Sequence, residues 1–166
     1  MTVPLPSLAT TRLKAIPITA ENFRPFGQLI TPQSDQVAFN PQDAQLNLEN
    51  GIPRFYIMQL HQRGRRFHTI TRHCLCTQCL GALEGHSWFL GVAPPGHKLQ
   101  PNPKDIVVFE IPGDRFVKLE QGTWHAGPYF DAPTVSFYNL ELSNTNEVDH
   151  TTCDLRATYG VEFEIV

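Results

Sequence analysis

Charged residues make up only 17% of this 166-residue chain, against about a quarter in an ordinary globular protein. A surface so short of charge argues against long solvent-facing helices and favours short strands joined by turns. No apolar run approaches the roughly 18 residues needed to cross a bilayer, and Pro4 and Pro6 interrupt the few apolar residues between Met1 and Leu8. Nothing here directs export or membrane insertion, and a cytoplasmic protein is expected. Basic charge is sparse too. The net charge is −3, and the one dense cluster, Arg63, Arg65 and Arg66, is too short to track a phosphate backbone. Nucleic acid is therefore excluded as a partner, and the three arginines read as a solvated turn. The four cysteines, Cys74, Cys76, Cys79 and Cys153, have no second spaced Cys/His pair to complete a zinc ribbon or finger. They read as small buried thiols on a strand of a reduced intracellular protein.

What is present is punctuation. With 14 Pro and 11 Gly, the chain breaks into turn-bounded apolar segments: Arg54 to Leu60, Phe67 to Thr77, Ser87 to Val92, Asp105 to Ile111, Phe116 to Glu120, Val135 to Leu142 and Tyr159 to Ile165. Regularly spaced short strands mean a sandwich or barrel. No helical pattern lies between them to serve as a crossover, which excludes a parallel βαβ sheet. Leu13 to Ile30 reads as a short strand, a helical turn capped by Thr19, a turn at Gly27 and another strand. Asn22, three residues after Thr19, is a weak substitute for the Glu or Gln of a capping box. Residues Thr31 to Gly51 are polar and rich in Asn and Gln, and predict a surface loop that could close over a site. No repeat and no boundary divides the chain, so one domain over residues 1–166 is expected.

Two segments carry chemistry: Thr71-Arg72-His73, with Gln78 and Gly85 following at fixed spacing, and Gly122-Thr123-Trp124-His125. Their spacing resembles the two motifs of the cupins, which implies an all-β barrel or double-sheet jelly roll with short helical turns. The positions matching the four cupin metal ligands read Thr71, His73, Gln78 and His125. Two imidazoles and one neutral amide make a poor set for a transition metal, so the site is read as holding neither metal nor cofactor. A closer resemblance rests on Phe23-Arg24-Pro25-Phe26-Gly27, His68 to His73, Thr77-Gln78, Trp88 to Ala93 and Gly122 to His125. These pieces look like ureidoglycolate lyases, cupin-fold enzymes of ureide catabolism that convert ureidoglycolate to glyoxylate and urea. The resemblance implies a homodimer, with His73, Gln78, Trp124 and His125 at the positions of the family's motif. Thr71, Ala126 and Glu141-Leu142 stand where the family carries Glu, a second His and an Asp-Arg pair.

The chemistry can be argued from the residues alone. A carbinolamide collapses when its hydroxyl loses a proton and the leaving nitrogen gains one, and imidazole near neutrality fits both roles. His73 and His125 are thus the catalytic candidates, with Gln78 orienting the substrate and Trp124 walling out water. A carboxylate substrate also needs a cation, for which Arg54, Arg72 and Lys118 are candidates. On a straight strand His73 and Gln78 would face opposite ways, so their convergence requires a turn or bulge between them. The remaining histidines, His61, His68, His86, His97 and His150, read as structural. Two alternatives stay open: a non-catalytic or sensory cupin binding a small acid or sugar, and a metal-dependent cupin that recruits Glu120 or Glu141.

Overall fold

Turns rich in Gly, Pro and Asp leave only short extended runs, and a computed structural model describing residues 8–166 shows how these runs pair. The elements are β1 (Ala9–Leu13), β2 (Ile16–Pro17), α1 (Ala20–Phe23), β3 (Gly27–Ile30), β4 (Pro53–His61), β5 (Arg66–Phe67), β6 (Thr69–Arg72), β7 (Gln78–Ala82) and β8 (Gly85–Ala93). After a 3₁₀ turn at Pro103–Asp105 come β9 (Val107–Gly113), β10 (Phe116–Leu119), β11 (Trp124–Tyr129), β12 (Thr134–Leu142), α2 (Thr145–Val148), β13 (Thr151–Asp154), α3 (Leu155–Tyr159) and β14 (Val161–Ile165). A five-stranded sheet, β3-β10-β7-β12-β4, faces a six-stranded sheet, β13-β6-β11-β8-β9-β2, and a small sheet, β1-β14-β5, lies behind the latter. The fold is all-β and cupin-like, as the spacing predicted. Among the described residues no helix is long and apolar enough to cross a membrane. The reading of Met1 to Leu8 as carrying no export signal lies, for residues 1–7, outside the described residues.

Alternation along each strand decides which side chains see the interior. Trp88, Leu90 and Val92 of β8 join Phe23, Phe109, Val117, Leu119 and Phe137 in one core between the two large sheets. Phe89 and Ala93 of β8 point the other way, into a second core with Phe67, Ile70, Trp124, Leu155 and Phe163 against the small sheet. The outer face of the five-stranded sheet carries an aromatic ladder, Phe55 on Tyr138 on Phe116, with centroids 5.6 and 5.7 Å apart. Gly81 makes room for it: a Cβ there would lie 1.9 Å from the Phe116 ring.

Several expectations change. The predicted strand Phe67 to Thr77 holds only the end of β5 and the whole of β6, and its remaining residues 73–77 form an irregular turn leading into β7. Asn22, read as a weak cap, completes a reciprocal capping box: its backbone N–H donates to Thr19 Oγ1 (3.1 Å) while Thr19 N–H donates to Asn22 Oδ1 (2.8 Å). All four cysteines are free, but Cys74 is exposed and lies with Cys76 on the turn rather than on a strand.

Candidate active site

The turn after β6 places His73. Its Nδ1 lies 2.5 Å from the backbone carbonyl of Asp149, and a carbonyl can only accept, so Nδ1 carries the proton and Nε2 is left free. Asp149 in turn holds the segment, accepting from the backbone N–H groups of Cys74 and Leu75 at 2.7 Å each. By the time the chain re-enters β7 at Gln78 the turn has reset the parity, so His73 and Gln78 face the same cavity. His125 arrives from β11, opposite Thr71 of β6 and Val92 of β8. Its Nδ1 is 3.4 Å from the Thr123 carbonyl, a longer contact of the same kind that again leaves Nε2 free. The two rings meet with centroids 5.0 Å apart, and the His150 ring stands edge-on to His73 at 5.5 Å.

Burial is the main influence on His125. It pushes the imidazole down from 6.5 to about 3, and the nearby His73 acts in the same direction, against the hydrogen bond to Thr123. His150 is also lowered, by burial first and by His73 second. At neutral pH His125 is therefore a neutral imidazole with an available lone pair.

Behind the histidines lies a polar floor. Gln78, 7% exposed, donates from Nε2 to Asn139 Oδ1 (3.0 Å) and to Glu141 Oε2 (3.1 Å). Asn139 Nδ2 donates to the Tyr56 hydroxyl (3.0 Å), which donates to Glu141 Oε1 (3.4 Å). Gln78 Oε1 is buried and has no partner among the described residues. Such groups are costly to bury unless something completes them. The cavity they share with the histidines has a volume of about 320 Å³ and lies between β4 and β12 on one side and β6 and β11 on the other. Arg63, Asn146 and His150 are exposed residues of its lining.

Of the residues read from the sequence, His73, Gln78 and His125 are brought together here. Trp124 and Arg72 are not. They alternate with His125 and Thr71, so both face the second core, where the Arg72 guanidinium sits 4.6 Å over the Trp124 ring. Trp124 therefore cannot wall this cavity. Lys118 points to the outer face of the five-stranded sheet, buried against Glu120 at 2.5 Å, and cannot reach a ligand in the cavity. Arg54 is paired in register with Glu141 but stays exposed, its guanidinium stacked 3.7 Å over the Tyr56 ring beside the cavity. The Thr31 to Gly51 loop contributes no lining residue. It is tied instead to β3 and to the turn, as by Gln45 N–H to Gln28 Oε1 and Asn50 Nδ2 to the Leu75 carbonyl.

Beyond these, Arg63, His150 and Glu141 join the site without a sequence reading as substrate contacts, as do Tyr56 and Asn139 of the floor. Arg63, taken for a solvated turn residue, lines the cavity, donating to the Pro128 carbonyl at 3.4 Å and lying 5.0 Å from the Tyr129 ring centre. Its partners are remote in sequence, so no local pattern signals it. His150, read as structural, reaches the site through the Asp149 contact to His73. Glu141, a sequence candidate only as a metal ligand, belongs to the floor of the cavity. The one usable signal for it was period-two alternation with Asn139 and Phe137 on β12.

The donor set does not suit a tightly held metal. The Thr71 hydroxyl is paired with Thr152 at 2.9 Å, Gln78 offers only a neutral and fully buried amide oxygen, and no group of three His, Cys, Asp or Glu among the described residues is disposed to hold an ion. A family model described as ureidoglycolate lyase matches residues 10–158 and so spans every residue of the cavity. A search of curated proteins finds no match to the chain.

Proposed function

The chain belongs to the ureidoglycolate lyase family, which supports a lyase function, and from that premise we propose that its cavity releases urea and glyoxylate from ureidoglycolate. The observation that carries this reading is the pair of imidazoles 5.0 Å apart, each with Nδ1 turned to a backbone carbonyl and Nε2 left for a substrate. His125, neutral at working pH, takes the proton of the substrate hydroxyl. The electron pair of that O–H bond becomes the second bond of the aldehyde carbonyl, the C–N bond breaks, and the departing nitrogen takes a proton from the protonated form of His73. Atoms balance without water: one carbinolamide gives one aldehyde and one urea, and the proton passes from His73 to His125. Proton exchange with solvent then resets the pair.

Homodimer formation belongs to the same reading. Phe55 and Ile57 stand exposed on the outer face of the edge strand β4, where a second copy could cover them.

The test is turnover by the purified protein. Glyoxylate should form from ureidoglycolate in the wild type and fall sharply in both His73→Asn and His125→Asn. A wild type that binds glyoxylate but turns over no ureide would favour the sensory alternative.

A further inference from the structure

We propose that the cavity sorts the two ends of its ligand: the Glu141 carboxylate at its floor takes an N–H-rich ureido group, and Arg63 takes the carboxylate. The assignment rests on the lyase reading of the same site and gives the substrate a direction within it.

The floor has more acceptors than donors. Glu141 is 2% exposed, yet among the described residues its carboxylate accepts only from the Gln78 amide at 3.1 Å and the Tyr56 hydroxyl at 3.4 Å, both neutral. A carboxylate has about four lone-pair sites, so half of its capacity is unmet. Gln78 Oε1 also lacks a donor among the described residues, but the atom is fully buried and presents no surface to a ligand. A carboxylate with unmet lone pairs selects a group that presents two N–H bonds from one face, as a ureido nitrogen pair does. A carboxylate placed there would meet repulsion from Glu141.

Arg63 is the complement. Of the three arginines in its segment, Arg65 is paired with Asp131 at 2.6 Å and Arg66 lies 3.6 Å from Glu164. Arg63 makes no ion pair among the described residues, and a single contact to the Pro128 carbonyl leaves most of its five N–H donors unused. Along β4 the register runs from Arg54 opposite Glu141 to His61 opposite Thr134, and Arg63 follows two residues later. Both side chains nonetheless line the one cavity, and no ion pair joins them among the described residues. A ligand with N–H donors at one end and a carboxylate at the other completes both, and the two imidazoles line the same cavity.

Titrations followed by NMR with glyoxylate and, separately, N-methylurea test the two subsites. Arg63→Gln should weaken glyoxylate on the order of tenfold or more, the usual cost of losing a charge-assisted hydrogen bond, and leave N-methylurea unchanged. Arg63→Lys should recover part of the loss. Glu141→Gln and Glu141→Ala should each weaken N-methylurea while glyoxylate binds as well as before or better; two variants guard against one that folds poorly. Equal glyoxylate affinity in wild type and Arg63→Gln overturns the assignment, as does an N-methylurea affinity that neither floor variant changes. The lyase reading fails separately, if both fragments bind as described and ureidoglycolate is not turned over. Turnover whose KM is indifferent to Arg63→Gln would sink the subsite and leave the lyase standing.

Discussion

Acidifying the protein from about pH 7.5 to about pH 5 should remove on the order of 2 kcal/mol of stability through His125 alone. In the folded chain burial holds this imidazole down at about 3, so it binds no proton across that interval. In the unfolded chain it titrates near 6.5. Below that value the unfolded state binds more protons than the folded one, so stability falls as pH falls and continues to fall until about 3. At about pH 5 the unfolded chain gains RT ln(1 + 10^1.5), on the order of 2 kcal/mol. His150 is displaced the same way and adds to the slope. Three carboxylates are also held low, Asp131 by Arg65, Asp154 by the Ala157 backbone N–H and Glu162 by Arg156, but their contributions are lost only at more acid pH, as each is protonated. The interval above pH 5 therefore belongs to the imidazoles. Urea denaturation of wild type and His125→Asn at the two pH values isolates the effect, and the pH-dependent loss should shrink by about 2 kcal/mol in the variant. In a thermal scan that corresponds to roughly 4–8 °C for a chain of this size. An equal loss in both proteins would refute the claim that burial holds His125 neutral.

Other outcomes are as specific. His125→Asn should lower turnover by about 10² to 10⁴ while the melting temperature at neutral pH changes little, which kinetics and calorimetry on one preparation would show. Activity should survive extended dialysis against a chelator, since the Thr71 hydroxyl is already paired with Thr152 and Gln78 offers only a neutral, buried amide oxygen; stoichiometric metal whose removal abolishes turnover would contradict this. Gly81→Ala should cost about 1–3 kcal/mol in urea denaturation, because the new Cβ would displace the Phe116 ring from Tyr138. Thr19→Ala should cost about 1 kcal/mol by removing one half of the capping box, and a fully stable variant would disprove the cap's contribution.

Much of the barrel was legible because its signals are local. Turn residues punctuate β4, β8, β9, β10 and β12, and motif spacing picked out His73, Gln78 and His125. β11 was missed as a strand because Gly127-Pro128 interrupts it; the register shifts between Ala126 and Tyr129, a bulge of the kind that tolerates proline within a sheet. Trp124 was placed in the site by motif adjacency, yet neighbouring residues on a strand face opposite ways, and the parity of β11 could be set only by its pairing with β8. Arg63 and His150 reach the cavity through contacts with Pro128 and His73, distant in sequence, which no local window contains. The lid expected from Thr31 to Gly51 failed for a similar reason: polar composition predicts a loop but not the surface it packs on.

The most direct test of the central claim is product stoichiometry, with urea, glyoxylate and ammonia quantified together as purified protein consumes ureidoglycolate. Collapse of the carbinolamide between His73 and His125 predicts urea and glyoxylate in equal amounts with no ammonia. Ammonia released in step with glyoxylate would mean that the ureido carbonyl is hydrolysed instead, and would contradict the account.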